Sequence, residues 1–134
     1  MNDSGIKQSS FLVVDDDEFS REFIVNVLKH IGVTQCHTAH DAETALRLAK
    51  QFRPDFVLLD IYMPEVDGWA LLEKLRREAP SMVTLMITGS VRPEDFKKSL
   101  DKHVDGFCIK PVRADLLERS LIQARNSRRV THEF

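Results

Sequence analysis

The sequence predicts an α/β protein with one domain, in which a five-stranded parallel sheet is covered by helices on both faces. Five short apolar runs alternate with five segments whose apolar residues recur at helical spacing. Polar or acidic residues follow several of these runs directly, as they do at the carboxyl ends of strands in doubly wound sheets. This alternation favours right-handed βαβ crossovers and a (βα)5 arrangement.

The five predicted strands are short and mostly apolar. They span residues 11–14, 33–39, 56–59, 82–87 and 107–109. Four consecutive apolar residues from Phe56 to Leu59 predict a strand buried on both faces, because a strand with one wet face would alternate apolar and polar residues. The second strand is more polar, which is typical of an edge strand.

The predicted helices cover residues 18–31, 41–52, 69–79, 93–100 and 114–124. Their ends carry local signals, which are Asp17 or Glu18 and Asp41 as caps, Gly32 and Pro80 as terminators, and Pro93 in a first turn. The third helix is expected to face inward with Leu71, Leu72 and Leu75 and outward with Glu73, Lys74, Arg76 and Arg77. The fifth is expected to face inward with Leu116, Leu117, Leu121, Ile122 and Ala124.

Length and composition place the domain at residues 10–125, between a flexible lead-in at 1–9 and a tail or linker start at 126–134. A formal net charge of −2 argues against direct nucleic-acid binding and against a membrane-surface protein. There is no apolar run of about 18 residues and no secretory signal, so a cytoplasmic location is predicted. Cys36 and Cys108 form no CxxC pair and are predicted to be buried thiols.

Five polar side chains stand at the carboxyl ends of the predicted strands. Asp15 and Asp16 follow the first strand, Asp60 the third, Thr88 the fourth and Lys110 the fifth. A doubly wound sheet brings these ends to one crevice, where three carboxylates repel each other unless a cation intervenes. An all-oxygen ligand set predicts a hard ion, with Mg²⁺ first and Mn²⁺ as an alternative.

This combination of groups predicts a phosphoryl-transfer site. Asp60 would attack the phosphorus and form an aspartyl-phosphate. Mg²⁺ and Lys110 would neutralise charge on the equatorial oxygens, and Thr88 would add a hydroxyl donor. Each aspartate alone is equally consistent with a turn or a cap, and Thr88 or Lys110 alone is more often structural or a surface charge, but the agreement of all five at one sheet edge favours chemistry.

The motifs resemble those of the receiver domain of two-component response regulators, the family that includes the chemotaxis regulator. The resemblance covers about residues 11–123 and rests on four segments, at residues 12–17, 57–68, 87–89 and 110–111. It implies a flavodoxin-like fold with strand order 2-1-3-4-5. It also implies a phosphorelay function, in which the protein catalyses only its own phosphorylation and dephosphorylation and is otherwise not an enzyme.

The resemblance implies a role for each site residue. Asp60 matches the phosphoacceptor, Lys110 the phosphate-pairing lysine, Thr88 the switch hydroxyl and Phe107 the switch aromatic. The Mg²⁺ ligands implied are Asp15 (largely through water), Asp16, Asp60 and the backbone carbonyl of Tyr62. The bond between Lys110 and Pro111 is expected to be cis.

Three positions depart from the commonest pattern of the family. Phe107 is often Tyr in relatives, and Gly89 stands where Ala or Ser is frequent and is expected to loosen the loop. Tyr62 is bulky for its place beside Asp60. Tyr62 and Ser90 match the positions that tune dephosphorylation, and we predict slow hydrolysis, because Tyr62 would shield the acyl-phosphate and Ser90 offers no carboxylate or amide to orient water.

The partners implied by the resemblance are a sensor histidine kinase or histidine phosphotransferase, and a downstream effector or tethered output domain. The face formed by the fourth helix, fifth strand and fifth helix would change on phosphorylation and could also form a homodimer. Two alternatives remain open from the sequence. One is a degenerate receiver that serves as a docking module; the other is a flavin-binding module of the same topology, which the carboxylates after the first strand disfavour because they would repel the flavin phosphate.

Overall fold

The computed structural model describes residues 4–89 and 92–133, with the side chains of residue 4 and of 129–133 outside the description. Five parallel strands form the sheet: β1 (Ser10–Val14), β2 (Gln35–Ala39), β3 (Phe56–Asp60), β4 (Val83–Thr88) and β5 (Gly106–Ile109). The main helices are α1 (Glu18–Ile31), α2 (Ala42–Phe52), α3 (Gly68–Glu78), α4 (Pro93–Asp101) and α5 (Ala114–Glu133). The strand order is β2-β1-β3-β4-β5, so the predicted doubly wound, flavodoxin-like fold is confirmed.

Each face of the sheet packs against its own hydrophobic core. Phe11 and Phe56 stack on one face with ring centroids 4.8 Å apart, together with apolar residues of α1 and α5. Leu12 and Val57 point to the other face and pack with α2 and α3. Every residue of β3 is buried, as four consecutive apolar residues predict for a central strand. The sheet is therefore a rigid support for the side chains at its carboxyl edge.

The helix ends follow the local signals in the sequence. Asp17 caps α1 by accepting a hydrogen bond from the Ser20 N–H at 2.9 Å, and Gly32 ends this helix with φ of 115°. Asp41 caps α2 through the Thr44 N–H, and Pro93 opens α4. None of the helices in the described part of the chain combines the length and apolarity that a membrane crossing requires.

The described segments near both ends contain helix that was not predicted. Within the segment predicted as a flexible lead-in, Ser4–Lys7 forms a short helix, and Ile6 is fully buried against the core beside α1 and α5. The last helix continues to Glu133 rather than ending near residue 124, since neither Gly nor Pro interrupts it. Its continuation is tied to the sheet by Arg128, whose guanidinium lies 3.4 Å from Asp105.

Several side-chain orientations also differ from prediction. Leu116 was expected to face inward but is 47% exposed, because the buried stripe of α5 runs through Leu117 and Leu121. Arg76 was expected to face outward but folds back to donate hydrogen bonds to the carbonyls of Lys102 and His103 near the end of α4. The two cysteines are half-buried rather than buried.

Candidate functional site

The predicted site residues lie together at the carboxyl edge of the sheet. Asp15 follows β1, Asp60 ends β3 and Lys110 follows β5. The register brings the neighbouring strand ends level, since Asp60 pairs with Ile87 and Thr88 pairs with Ile109. The structure therefore places the polar groups of four strands around one crevice, as a doubly wound sheet does.

Three carboxylates form the acidic part of this crevice. One carboxylate oxygen from each of Asp15, Asp16 and Asp60 lies within 4.8 Å of the others. Asp15 is fully buried and Asp60 is 6% exposed, whereas Asp16 is exposed. Because like charges this close destabilise one another, the cluster needs a compensating cation.

Lys110 supplies one positive charge to the carboxylates. Its Nζ lies 2.9 Å from Oδ2 of Asp15 and 3.3 Å from Oδ2 of Asp60. Its backbone N–H donates to the Thr88 carbonyl at 2.8 Å, which fixes the start of the loop after β5. The Lys110–Pro111 bond is cis, as the family resemblance implied.

The electrostatics of the site oppose the ionised form of Asp60. Burial raises the pKa of the Asp60 carboxyl; the Lys110 charge works against this and the Asp15 charge adds to it, and the net pKa lies above its usual value. Burial alone would lower the pKa of the Lys110 ammonium. The hydrogen bond to Asp15 and the charges of both carboxylates outweigh that effect, so this pKa is raised.

Asp15 is held by residues that the sequence analysis did not identify. Its Oδ2 accepts a hydrogen bond from the Ser20 hydroxyl at 2.6 Å, and its Oδ1 accepts one from the Asp17 N–H at 3.0 Å. The Arg21 guanidinium donates to the Asp15 carbonyl at 2.8 Å. The position of Ser20, in the first turn of the helix that follows the acidic run, was the available signal, because first-turn side chains point back toward the helix N-terminus.

The loop after β3 is shaped by a small hairpin that was not predicted, in which Tyr62–Met63 pairs with Val66–Asp67. At its start the Tyr62 N–H donates to Oδ1 of Asp60 at 3.1 Å. At its end Gly68 packs tightly under the loop. A Cβ at this position would lie 2.7 Å from the Ile61 carbonyl oxygen and 2.9 Å from that of Asp60. Only glycine allows this approach, so Gly68 helps to set the position of the Asp60 backbone.

The remaining predicted residues lie on the β4 and β5 side of the crevice. Thr88 is fully buried at the end of β4. Phe107 is half-buried and makes an edge-on contact with Phe96 of α4, with ring centroids 6.0 Å apart. Ser90, predicted to tune dephosphorylation, lies outside the described residues, and that prediction remains one.

The donor set fits a hard divalent cation. Carboxylate oxygens from three residues converge, two of them on rigid strand ends, and their mutual repulsion is compensated only in part by Lys110. Mg²⁺ prefers such oxygen ligands and retains several waters, which suits a crevice with one exposed acid, Asp16. The chemistry of the residues present therefore agrees with a magnesium site.

Comparison with known proteins identifies response regulators as relatives of this chain. Residues 11–122 match the family described as the response regulator receiver domain. The probable C4-dicarboxylate response regulator DctR of Bacillus subtilis is 29% identical over 119 residues, which cover 86% of this chain and 51% of DctR. Chemotaxis protein CheY-3 of Vibrio cholerae is 32% identical over 117 residues, which cover 86% of this chain and 90% of CheY-3.

A solved structure agrees with these sequence matches. The CheY-like response regulator receiver domain protein of Methanospirillum hungatei has a TM-score of 0.80 and 26% identity, covering 92% of this chain and 98% of that chain. The chain spans about half the length of DctR, at 51%, and most of CheY-3, at 90%.

Proposed function

Because this chain belongs to the response regulator receiver domain family, we propose that Asp60 accepts a phosphoryl group from a sensor histidine kinase or a histidine phosphotransferase. Receiver domains of two-component systems are generally switch domains that work with histidine kinases and output domains. In this proposal the chain catalyses its own phosphorylation and dephosphorylation and acts on no other substrate.

The proposed transfer is a displacement at phosphorus. A carboxylate oxygen of Asp60 attacks the phosphorus of a phosphohistidine, an O–P bond forms and the P–N bond breaks. The electron pair of the broken bond stays on the imidazole nitrogen, which takes up a proton. Lys110 lies 3.3 Å from Asp60 and can pair with a phosphoryl oxygen, and the Thr88 hydroxyl is the proposed second donor.

The proposed cofactor is Mg²⁺, with Mn²⁺ as a substitute. The side chains of Asp15, Asp16 and Asp60 and the backbone carbonyl of Tyr62 would hold it, Asp15 largely through water. When bound, the ion supplies positive charge that neutralises the phosphoryl oxygens. The chain's own contribution is to fix Asp15 through Ser20 and Asp17 and so to keep the crevice preorganised.

The proposed output surface is the face of α4, β5 and α5. Thr88 and Phe107 would change position on phosphorylation and shift the population of this face between two packings. Phe96, Leu100 and Ile109 are exposed on these elements and give the face an apolar surface. A downstream effector, a tethered output domain or a second copy of the chain would bind there, in a cytoplasmic setting.

One observation supports the proposal most strongly: Lys110 contacts both Asp15 and Asp60, so the side chains proposed as phosphate-pairing cation, metal ligand and nucleophile are neighbours. Its test is labelling by acetyl phosphate in the presence of Mg²⁺. The wild type should gain one phosphoryl group by mass spectrometry. Asp60→Asn should not, while Asp101→Asn, at an exposed acid of α4, should behave as the wild type.

Other outcomes of this test would favour other functions. Labelling of Asp60→Asn at the wild-type rate would reject Asp60 as the acceptor. A wild type that takes no label would favour the docking module, and a yellow purified protein that retains a flavin would favour the flavin-binding module.

The lifetime of the phosphoryl group is the second part of the proposal. Tyr62 follows Asp60 by two positions, and its backbone donates to the Asp60 carboxylate at 3.1 Å. A bulky ring at this position is expected to limit the approach of water to the acyl-phosphate. Tyr62→Asn should therefore lose the phosphoryl group faster than the wild type, and equal decay rates would count against shielding by Tyr62.

A further inference from the structure

The side chain of Tyr62 links the loop after β3 to the start of α4. Tyr62 belongs to the loop after β3, and its ring and hydroxyl reach the start of α4, the helix that follows β4. Because β3 and β4 are neighbours, with Asp60 level with Ile87, the side chain links the loop that follows Asp60 to the helix that follows Thr88. Its position is therefore relevant to access to Asp60.

Asp95 and Arg92, at the start of α4, both contact this side chain. The Tyr62 hydroxyl donates a hydrogen bond to the carboxylate of Asp95, which is only 6% exposed although it carries an ionisable group. The guanidinium carbon of Arg92 lies 5.3 Å from the centre of the Tyr62 ring, within the range of a cation–π contact. One contact fixes the tip of the side chain and the other covers its face.

The orientation of α4 makes the contact with Asp95 specific. The buried side of this helix carries Asp95 and Ser99, while Phe96 and Leu100 are exposed. The neighbouring acid Glu94 also lies in the first turn, but it is exposed. Glu94 and Asp95 therefore both interact favourably with the helix dipole, but only Asp95 is buried.

We propose that Asp95 is a positioning residue for the phosphoryl site, which holds Tyr62 across the crevice and slows hydrolysis of the acyl-phosphate. This inference rests on the proposed phosphorylation of Asp60. In the hydrolysis, water attacks the phosphorus, the O–P bond to Asp60 breaks, the carboxylate recovers its electron pair and inorganic phosphate leaves. Asp95 contacts none of these atoms and acts through the location of the Tyr62 ring.

The kinetic test compares Asp95→Asn and Tyr62→Phe with the matched control Glu94→Gln. Each protein is labelled with acetyl phosphate and Mg²⁺, freed of the donor, and followed by loss of the label. A hydrogen bond to a charged acceptor is a strong one, so both site variants should lose the label about three- to ten-fold faster than the wild type. The double variant should decay no faster than either single variant, and Glu94→Gln should match the wild type.

A spectroscopic test reports on the contact without phosphorylation. The chain has one tyrosine, so ring-¹³C tyrosine labelling gives the NMR signals of Tyr62 alone. Asp95→Asn removes the charged partner of the Tyr62 hydroxyl and should shift these signals, and Glu94→Gln should leave them in place. Unchanged signals in Asp95→Asn would overturn the inference.

The outcomes separate this inference from the proposed function. A wild type that takes no label would overturn the proposed function and the inference with it. A wild type that is labelled, with Asp95→Asn and Tyr62→Phe decaying at the wild-type rate or with additive effects in the double variant, would overturn the inference alone.

Discussion

The ammonium of Lys110 lies 3.3 Å from Oδ2 of Asp60, although the two residues are 50 positions apart in the sequence. The same ammonium lies 2.9 Å from Oδ2 of Asp15. Two buried carboxylates thus share one positive charge, which belongs to Lys110 in the loop after β5. Replacing Lys110 or Asp60 should therefore change the stability of the protein, in opposite directions at neutral pH.

Replacement of Lys110 should destabilise the protein when no divalent cation is present. Lys110→Ala leaves Asp15 and Asp60 buried without their counter-charge, and we expect a loss of about 1–2 kcal/mol, because the lysine is itself partly solvated. Urea unfolding in the presence of EDTA measures this loss in the free energy of unfolding. Excess Mg²⁺ should reduce the loss, and Lys50→Ala, at an exposed position of α2, should be neutral. A loss that persists in full with Mg²⁺ would contradict this electrostatic origin.

Replacement of Asp60 should have the opposite effect on stability at neutral pH. The pKa of Asp60 is raised, mainly by burial, so above the usual pKa of an aspartate the folded state binds this proton more tightly than the unfolded state. Stability then falls as pH rises through the interval between the unfolded and folded pKa values. Asp60→Asn removes this dependence, so its advantage over the wild type should grow with pH across that interval.

The pH prediction is checked by urea unfolding without divalent cations at pH values from about 4, near the usual aspartate pKa, up to about 8. The difference in the free energy of unfolding between Asp60→Asn and the wild type should increase with pH and then level off. A constant difference would mean that the ionisation of Asp60 is not penalised in the folded protein.

The convergence of Asp15, Asp16, Asp60 and Lys110 could be predicted from sequence because each residue ends a strand or lies within two residues of a strand end. Strand ends are local features, marked by the change from apolar to polar residues. The parallel topology then brings the carboxyl ends of the strands to one edge of the sheet. The caps at Asp17 and Asp41 were predictable for the same reason, since a cap acts within three residues of its own position.

Features that depend on where side chains meet in space could not be predicted. Asp95 lies 33 positions from Tyr62, and in sequence it is one of two adjacent acids in a helix start, with nothing to mark it as the buried one. The polar composition after residue 124 suggested a tail. The helix continues there in the structure, and the pairing of Arg128 with Asp105 is a tertiary contact that composition cannot reveal.

Removal of the exposed acid should weaken magnesium binding at little cost in stability. Asp16 shares the acidic cluster but is exposed, so Asp16→Asn should leave the metal-free protein close to wild-type stability. Its Mg²⁺ affinity should fall about ten-fold or more, which corresponds to about 1.4 kcal/mol less stabilisation at saturating ion. Thermal unfolding over a Mg²⁺ titration measures this. Glu18→Gln, a nearby exposed acid outside the cluster, is the control, and an equal response in both variants would contradict the assignment of Asp16.

Two glycines beside the site should differ in their response to the same substitution, with only Gly68→Ala losing stability. In Gly68→Ala the new methyl group would meet the carbonyl oxygens of Ile61 and Asp60 at 2.7 and 2.9 Å, so the backbone under Asp60 must move. We expect a loss of about 1–3 kcal/mol and slower labelling by acetyl phosphate. Gly89→Ala meets no atom within 4 Å and should change stability by less than about 0.5 kcal/mol. Equal urea midpoints for the two variants would show that the close approach at Gly68 does not constrain the acceptor.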